Sequence, residues 1–163
     1  MRDERHTDAD STYRSYLQRF VSRARAAGAT PVLVTPVERR RFDTAGRAVP
    51  SLGGYPAAMR AVAADTGAAL VDLHAMSLAR WDALGPAGTR SQFLWLQPGE
   101  TATYPDGVHD GTHLQVAGAV SLARLVARDL ERQGVLAPAQ VRHLGHAYDG
   151  SDLVWPAERP TDL

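Results

Sequence analysis

The chain has 163 residues, a length that suits one domain with a single hydrophobic core. Its 18 basic residues balance 18 acidic ones, so net charge gives no reason to expect binding of nucleic acid or of an anionic membrane. It has no cysteine, which excludes disulfides, thiolate nucleophiles and cysteine metal sites. No apolar run is long enough to cross a membrane, and the start MRDERHTDAD is too charged for a secretory signal.

The first half of the sequence predicts helices alternating with short strands. Apolar residues recur at helical spacing from Tyr13 to Ala24, and Gly28 ends that helix. The run TPVLVT (30–35) predicts a strand buried on both faces, and a long loop follows over residues 37–54. A second helix (55–66), a second strand ALVDL (69–73) and a third helix (74–84) come next. This alternation predicts βαβ units, and hence an α/β fold with a parallel sheet.

The second half predicts one long loop and one long helix. The loop runs over residues 85–111 and contains a short extended piece at 93–96. The helix runs from His113 to Gln133 and is capped by Gly134. We therefore expect a domain over residues 1–134 and a carboxyl-terminal extension over residues 135–163.

The candidate catalytic residues are Asp110 and His113, in the segment YPDGVHDGTHL (104–114). A carboxylate three residues before a histidine can hold the imidazole in one tautomer and orientation, as in a serine hydrolase triad. The Asp-x-x-His spacing alone is weak evidence, because it also occurs at Asp3/His6 and Asp106/His109. Only the third pair stands where a long loop meets an apolar helix.

Three consecutive arginines, Arg39, Arg40 and Arg41, follow the first predicted strand. Ligands of open α/β sheets bind outside the carboxyl ends of the strands, where this run would lie. A run of charges is commonly a solvated face. The alternative is that these guanidinium groups bind a substrate carboxylate or sugar hydroxyls.

Three segments together resemble the SGNH (GDSL-like) hydrolases, most closely the rhamnogalacturonan acetylesterase group. They are TYRSYLQRFVSRARAAGATPVLVTPVERRRF, YPAAMRAVAADTGAALVDLH and LQPGETATYPDGVHDGTHL, and the resemblance covers residues 12–133. It implies a three-layer, flavodoxin-like α/β/α fold and a serine esterase, without a cofactor, that removes acetyl groups from a pectic polysaccharide. In this resemblance Asp110 orients the histidine, while His113 deprotonates the serine and then protonates the departing sugar oxygen.

The family's nucleophile and oxyanion residues have no counterpart before Tyr13. That family carries its serine in a Gly-Asp-Ser motif after the first strand, and a Gly and an Asn complete its oxyanion hole. We therefore expect the amino-terminal strands to be missing, and either little turnover by the chain alone or pairing with a separate segment that carries the serine. Ser151, in Gly-Ser-Asp-Leu, scrambles the motif and reads as a loop serine. An open strand edge would also make the isolated chain marginally stable or prone to associate.

Two further interpretations remain open from the sequence. One is a non-catalytic carbohydrate-binding module that stacks sugars on aromatic rings beside the arginine run, with candidates Tyr55, Trp81, Trp95 and Tyr104. The other is a metal site formed by one loop, with candidate ligands Asp106, His109, Asp110 and His113. One loop rarely supplies a closed metal site, so we expect no metal.

Overall fold

A computed structural model describes residues 7–146 of the chain. It contains four longer helices and four strands in this order: α1 (Arg14–Ala26), β1 (Val32–Val34), α2 (Tyr55–Thr66), β2 (Ala69–Val71), α3 (Leu73–Gly88), β3 (Phe93–Leu96), β4 (Val108–Leu114) and α4 (Val116–Arg132). A short π-helical turn (Ala9–Tyr13) precedes α1, and two 3-10 turns occur at Thr89–Gln92 and Pro138–Gln140. None of the helices in residues 7–146 has the length and apolar character needed to cross a membrane.

The strands β1 and β2 form a parallel pair, as the sequence predicts, with Val32 opposite Ala69 and Val34 opposite Val71. Within the described residues each of these strands has one neighbour, so one edge of β1 is open. The prediction that β1 is buried on both faces is wrong at one position. Leu33 is buried, whereas Val34 is 39% exposed.

The helices α1 and α2 cover the parallel pair and share one core with it. That core consists of Leu17, Val21, Leu33, Met59, Val62, Ala63 and Ala68. It forms because α1 and α2 each carry apolar residues at helical spacing on one face. Gly67 ends α2 in the left-handed conformation, with φ of 63°, as the glycine at this position predicts.

A second core lies between α3, α4 and the antiparallel hairpin that β3 and β4 form. Trp81, Phe93 and Leu122 form it, and the rings of Trp81 and Phe93 meet edge to face with centroids 4.9 Å apart. The antiparallel pairing of β3 with β4 places Phe93 opposite Leu114 and Trp95 opposite His109. The extended piece predicted at 93–96 is therefore confirmed as β3.

The predicted start of the last helix is wrong. His113 belongs to β4, and α4 begins at Val116, because the N–H of Gln115 bonds to the carbonyl of Gln92 and ties the chain to the hairpin. The predicted loop over 85–111 is also partly wrong. It contains the last turn of α3, a 3-10 turn and β3, and α3 passes a kink at Gly85, where φ is 66°.

The predicted carboxyl-terminal extension is described only as far as His146. Its first part contains the 3-10 turn Pro138–Gln140. Arg124 and Arg128 of α4 donate hydrogen bonds to the carbonyls of His146 and Leu144, so this part lies along α4. Ser151 lies outside the described residues.

Candidate active site

The side chains of Asp110 and His113 are in direct contact. Oδ2 of Asp110 lies 2.6 Å from Nδ1 of His113, while Oδ1 accepts the N–H groups of Thr112 and His113 at 2.6 and 2.9 Å. The hydrogen bond from the His113 side chain, helped by those two N–H groups, lowers the pKa of Asp110 to about 2. Asp110 is therefore a carboxylate near neutral pH, and Nδ1 of His113 must be the proton donor.

The imidazole of His113 is held on one side and open on the other. Its side chain is 76% exposed, against 26% for Asp110. Because Nδ1 carries the proton, Nε2 of the neutral ring has a free lone pair. Such a ring can accept a proton from a hydroxyl that approaches from solvent or from another polypeptide.

A break in the β-ladder produces this geometry. The pairing of β3 with β4 shifts register between Phe93 and Trp95, opposite residues 110–113. The strand therefore bulges into a compact turn, which we call the acid–base turn (Asp110–His113). Bulges of this kind re-aim side chains at functional sites. The shift explains how two residues three apart in a strand can face each other.

The acid–base turn lies against the loop that follows β1. The N–H of Arg40 bonds to the carbonyl of Gly111 at 2.7 Å. A methyl group on Gly111 would lie 3.1 Å from the carbonyl oxygen of Arg40 and 3.4 Å from its Cβ, so the two segments are in close contact. The structure thus brings together the two loops from which the sequence predicts the site.

The three predicted substrate-binding arginines have different surroundings. Arg39 and Arg41 are exposed, and neither guanidinium has a hydrogen-bond or ion-pair partner within residues 7–146. Arg40 is half-buried: its Nε donates to Oγ1 of Thr89 at 3.0 Å, and Nη2 donates to the carbonyl of Pro86. Its guanidinium also lies over the ring of Trp95, 4.1 Å from the centroid. Arg39 and Arg41 are thus free to meet a ligand, whereas the guanidinium of Arg40 is engaged within the protein.

A buried polar network lies beyond the carboxyl ends of β1 and β2, and sequence reasoning missed it. The carboxylate of Glu38, with no exposed surface, lies 3.0 Å from Nε2 of His74. Nη2 of Arg60 lies 3.1 Å from Nδ1 of that ring and also bonds to Asp72. An arginine can only donate, so Nδ1 of His74 accepts and Nε2–H donates to Glu38. Polar residues directly after both apolar strands are the signal that could have revealed it.

Ser51 bonds to this network but is not an activated nucleophile. Its Oγ donates to Oε1 of Glu38 at 2.5 Å, and Oε2 of Glu38 meets His74. The carboxylate thus stands between the hydroxyl and the imidazole, whereas a triad needs the imidazole in the middle. No serine hydroxyl within residues 7–146 is hydrogen-bonded to His113. The described part of the chain therefore holds an imidazole oriented by a carboxylate, with no serine hydroxyl paired to that imidazole.

Most of the aromatic rings considered for sugar stacking are already in contact with protein groups. Trp81 is fully buried, so this candidate cannot serve as a stacking surface. Tyr55 packs against Tyr13, with ring centroids 5.0 Å apart, and Trp95 stacks on His109 at 4.2 Å. Tyr104 is the candidate with an exposed ring, at 39%. These contacts do not favour the binding-module interpretation.

The metal interpretation lacks a ligand cluster. Residues 7–146 contain no group of three or more histidine and acidic side chains placed to hold an ion. Nδ1 of His113 is engaged by Asp110, and the ring of His109 lies against Trp95.

Known proteins resemble most of this chain. No protein-family model matches the sequence. Rhamnogalacturonan acetylesterase RhgT of Bacillus subtilis (strain 168) is 43% identical over 131 residues, which are 80% of this chain and 56% of that protein. Probable rhamnogalacturonan acetylesterase YesY of the same organism is 32% identical over 132 residues, 81% of this chain and 56% of that protein.

The fold also resembles a solved structure. The crystal structure of the YxiM protein of Bacillus subtilis superposes with a TM-score of 0.64 at 27% identity, over 82% of this chain and 34% of that one. YxiM is described as an esterase and is 29% identical over 132 residues. The chain spans about half the length of the two acetylesterases it matches. By these similarities the chain has homologues named rhamnogalacturonan acetylesterase and a homologue named esterase YxiM, which are of the SGNH type.

Proposed function

We propose that this chain supplies the acid–base half of a carbohydrate O-acetylesterase that works by a Ser-His-Asp mechanism. The observation that carries the proposal is the 2.6 Å contact between Asp110 and Nδ1 of a 76% exposed His113. That contact is what an ester hydrolase requires of its general base. Relatives named as acetylesterases support the same chemistry.

The tautomer of His113 defines its proton transfers in each step of the reaction. Nε2 accepts the proton of a serine hydroxyl as the serine oxygen attacks the acetyl carbon, and Asp110 stays ionised and stabilises the imidazolium. His113 then gives that proton to the departing sugar oxygen, which leaves an acetyl-serine. Water attacks the acetyl-serine while His113 takes a proton from it, and His113 then returns that proton to the serine oxygen as the bond to the acetyl group breaks and acetate leaves.

The nucleophile is proposed to lie outside the described residues, on a segment that completes the sheet. The open edge of β1 and the exposed Val34 suit the addition of a further parallel strand. The same addition would extend the pair β1–β2 toward the three-layer fold that the sequence resemblance implies. A strand beside β1 would end near the loop that touches the acid–base turn, where a serine could reach His113.

The proposed substrate is an acetylated oligosaccharide or polysaccharide with acidic sugars. The rhamnogalacturonan in the names of two relatives suggests this class. Arg39 and Arg41 flank Arg40, whose backbone contacts the acid–base turn, and their exposed guanidinium groups are unpaired within residues 7–146. A guanidinium can bind a uronate carboxylate through two hydrogen bonds.

The test is release of acetate from acetylated rhamnogalacturonan oligosaccharides. It is measured for this chain alone and for the chain mixed with the part of RhgT that it does not match. We expect release by the mixture and its loss in His113→Gln. An unactivated acetyl ester is required, because any exposed imidazole attacks activated esters such as p-nitrophenyl acetate.

His143→Gln is the matched control, because His143 is also exposed and lies on a different segment. Acetate release that persists in His113→Gln but requires the mixture would overturn the assignment of the base. Binding of the oligosaccharide without any release would instead favour a carbohydrate-binding module.

A further inference from the structure

Arg40 is linked to the acid–base turn in two ways, directly through its backbone and indirectly through its side chain. Its N–H bonds to the carbonyl of Gly111, which lies between Asp110 and His113 in the chain. Its guanidinium lies over Trp95, and the ring of Trp95 stacks on His109, the residue directly before Asp110. One residue of the loop after β1 thus reaches both the middle of the turn and its entrance.

The side chain of Arg40 is fixed at its far end. Nε donates to Oγ1 of Thr89, and Nη2 donates to the carbonyl of Pro86. Thr89 is itself fully buried, and its hydroxyl donates to the carbonyl of Gly85 at 2.9 Å. The guanidinium therefore joins the end of α3 to the hairpin. The donors of a guanidinium lie in one plane, so it fixes the directions of several hydrogen bonds at once, which a single ammonium group cannot do.

The charge of Arg40 has no carboxylate partner within residues 7–146, and this sets it apart from a surface ion pair. Burial lowers the pKa of Arg40, and the nearby Arg90 lowers it further. A half-buried cation without an acidic partner is unfavourable unless aromatic rings and carbonyl oxygens stabilise it. Trp95, Phe42 and the carbonyl of Pro86 supply those contacts.

We propose that Arg40 is a positioning residue that holds the acid–base turn in the geometry that keeps Asp110 on Nδ1 of His113. The inference rests on the proposed esterase function and departs from the expectation that Arg40 binds substrate. Arg40 acts through Gly111, Trp95 and His109, and leaves substrate contact to its neighbours Arg39 and Arg41.

The test measures the contact between Asp110 and His113 by NMR, so it does not depend on catalytic activity. In the full chain, NMR follows the Nδ1–H proton of His113 and the carboxyl carbon of Asp110 as the pH is lowered. In the unmodified protein we expect a downfield Nδ1–H signal and a lowered Asp110 pKa of about 2. His113→Gln assigns the proton signal by removing it.

Arg40→Met keeps an apolar stem of similar length and removes the planar fork. We expect the Nδ1–H signal to broaden or vanish and the pKa of Asp110 to rise toward 3.8, its ordinary value. Arg40→Lys keeps the cation over Trp95 without the fork, so it should restore the signal only in part. Arg47→Met is the matched control, because Arg47 lies in the same loop with its side chain 76% exposed, and both readouts should stay unchanged.

Gly111→Ala gives a second route if Arg40→Met fails to fold. Gly111 is not among the glycines with positive φ, so alanine suits its backbone, and the added methyl acts by pushing the turn away from Arg40. It should cause the same loss of signal and the same rise in pKa.

The proposal is overturned if folded Arg40→Met, or folded Gly111→Ala, keeps both the proton signal and the low pKa of Asp110. If these readouts change as expected while acetate release is absent from every preparation, the positioning role stands and the esterase function fails.

Discussion

Glu38 and His74 form a buried pair, with Oε2 of the carboxylate 3.0 Å from Nε2 of the imidazole. The pair joins the loop after β1 to the first turn of α3. Both N–H and O–H of Ser51 also donate to this carboxylate, at 2.9 and 2.5 Å. One side chain without exposed surface therefore anchors the loop that carries Arg39, Arg40 and Arg41.

Replacing Glu38 by Gln should destabilise the protein strongly. Four hydrogen-bond donors point at the Glu38 carboxylate. The glutamine amide has only one acceptor oxygen, and its nitrogen is itself a donor, so buried donors lose their partner. We expect a loss of about 3 kcal/mol in the free energy of unfolding, as for a broken buried pair. Urea unfolding followed by tryptophan fluorescence measures it. Glu100→Gln, at an exposed position, should change it by less than about 0.5 kcal/mol, and an equal effect of both substitutions would contradict the role of Glu38.

The same network should make stability depend on pH on the acid side. Burial raises the pKa of Glu38, but hydrogen bonds from Ser51, Arg39 and His74 lower it by more. Burial also raises the pKa of Asp72, and hydrogen bonds, chiefly from Arg60, outweigh that effect. Both pKa values lie below their ordinary values in the folded state. Their contribution to stability is therefore complete above the unfolded pKa values, 4.5 and 3.8, and is lost as pH falls through the folded ones.

Urea unfolding between pH 7 and pH 3 checks this dependence. The free energy of unfolding should fall with decreasing pH, and the fall should be shallower in Glu38→Gln, which has no carboxyl to protonate at this position. Equal slopes for the two proteins would show that Glu38 does not titrate with folding.

Much of the fold was predictable from the sequence, because local signals carry it. The run TPVLVT lies between Gly28 and Pro36, the segment ALVDL follows Gly67, and residues 32–34 and 69–71 of these apolar segments form the parallel pair. The helix over 55–66 has proline in its first turn and glycine after its last residue, and its predicted bounds are those observed. Local sequence signals alone thus predicted the presence and order of β1, α2 and β2.

The acid–base turn and the buried network depend on contacts that the local sequence does not encode. DGTH has no alternation of apolar and polar residues, so only the pairing of the flanking His109 and Leu114 with Trp95 and Phe93 shows that it lies in a bulged strand. Glu38 heads the run ERRR and reads as a solvated charge, yet its partner His74 lies 36 residues further along the chain. Long-range partners decide whether such a charge is exposed or buried.

Asp110→Asn should remove most of the proposed esterase activity without unfolding the protein. Asparagine can present an N–H to Nδ1 and so hold the imidazole in the wrong tautomer, and it cannot stabilise the imidazolium. We expect kcat for acetate release to fall by roughly 10³ to 10⁴-fold, with KM little changed. Asp106→Asn, an exposed change at the same spacing before His109, is the control. A similar loss in both variants would remove the special role of Asp110.

Gly118→Ala should destabilise the contact between α4 and the hairpin. A methyl group there would lie 2.1 Å from the carbonyl oxygen of Gln92, which accepts the N–H of Gln115 at the start of α4. The clash should outweigh the gain in helix propensity, with a net loss of about 1–3 kcal/mol in thermal or urea unfolding. Gly88→Ala, also helical, meets Leu84 at an ordinary 3.4 Å and should be neutral. Equal stability of the two variants would show that α4 can shift away from Gln92.

Neutralising Arg39 or Arg41 should change selectivity between substrates rather than the chemistry. Both side chains are exposed and flank Arg40, whose backbone contacts the acid–base turn, and neither guanidinium is paired within residues 7–146, so a uronate carboxylate can reach them without breaking a contact there. Arg39→Met and Arg41→Met should therefore raise KM for acidic acetylated oligosaccharides about tenfold at low salt and leave kcat unchanged, since His113 is untouched. The effect should shrink in 0.5 M salt, because exposed charges are screened. A neutral acetylated oligosaccharide serves as the matched substrate, and its KM should stay the same. If KM rises equally for both substrates, the arginines shape the loop and do not recognise the carboxylate.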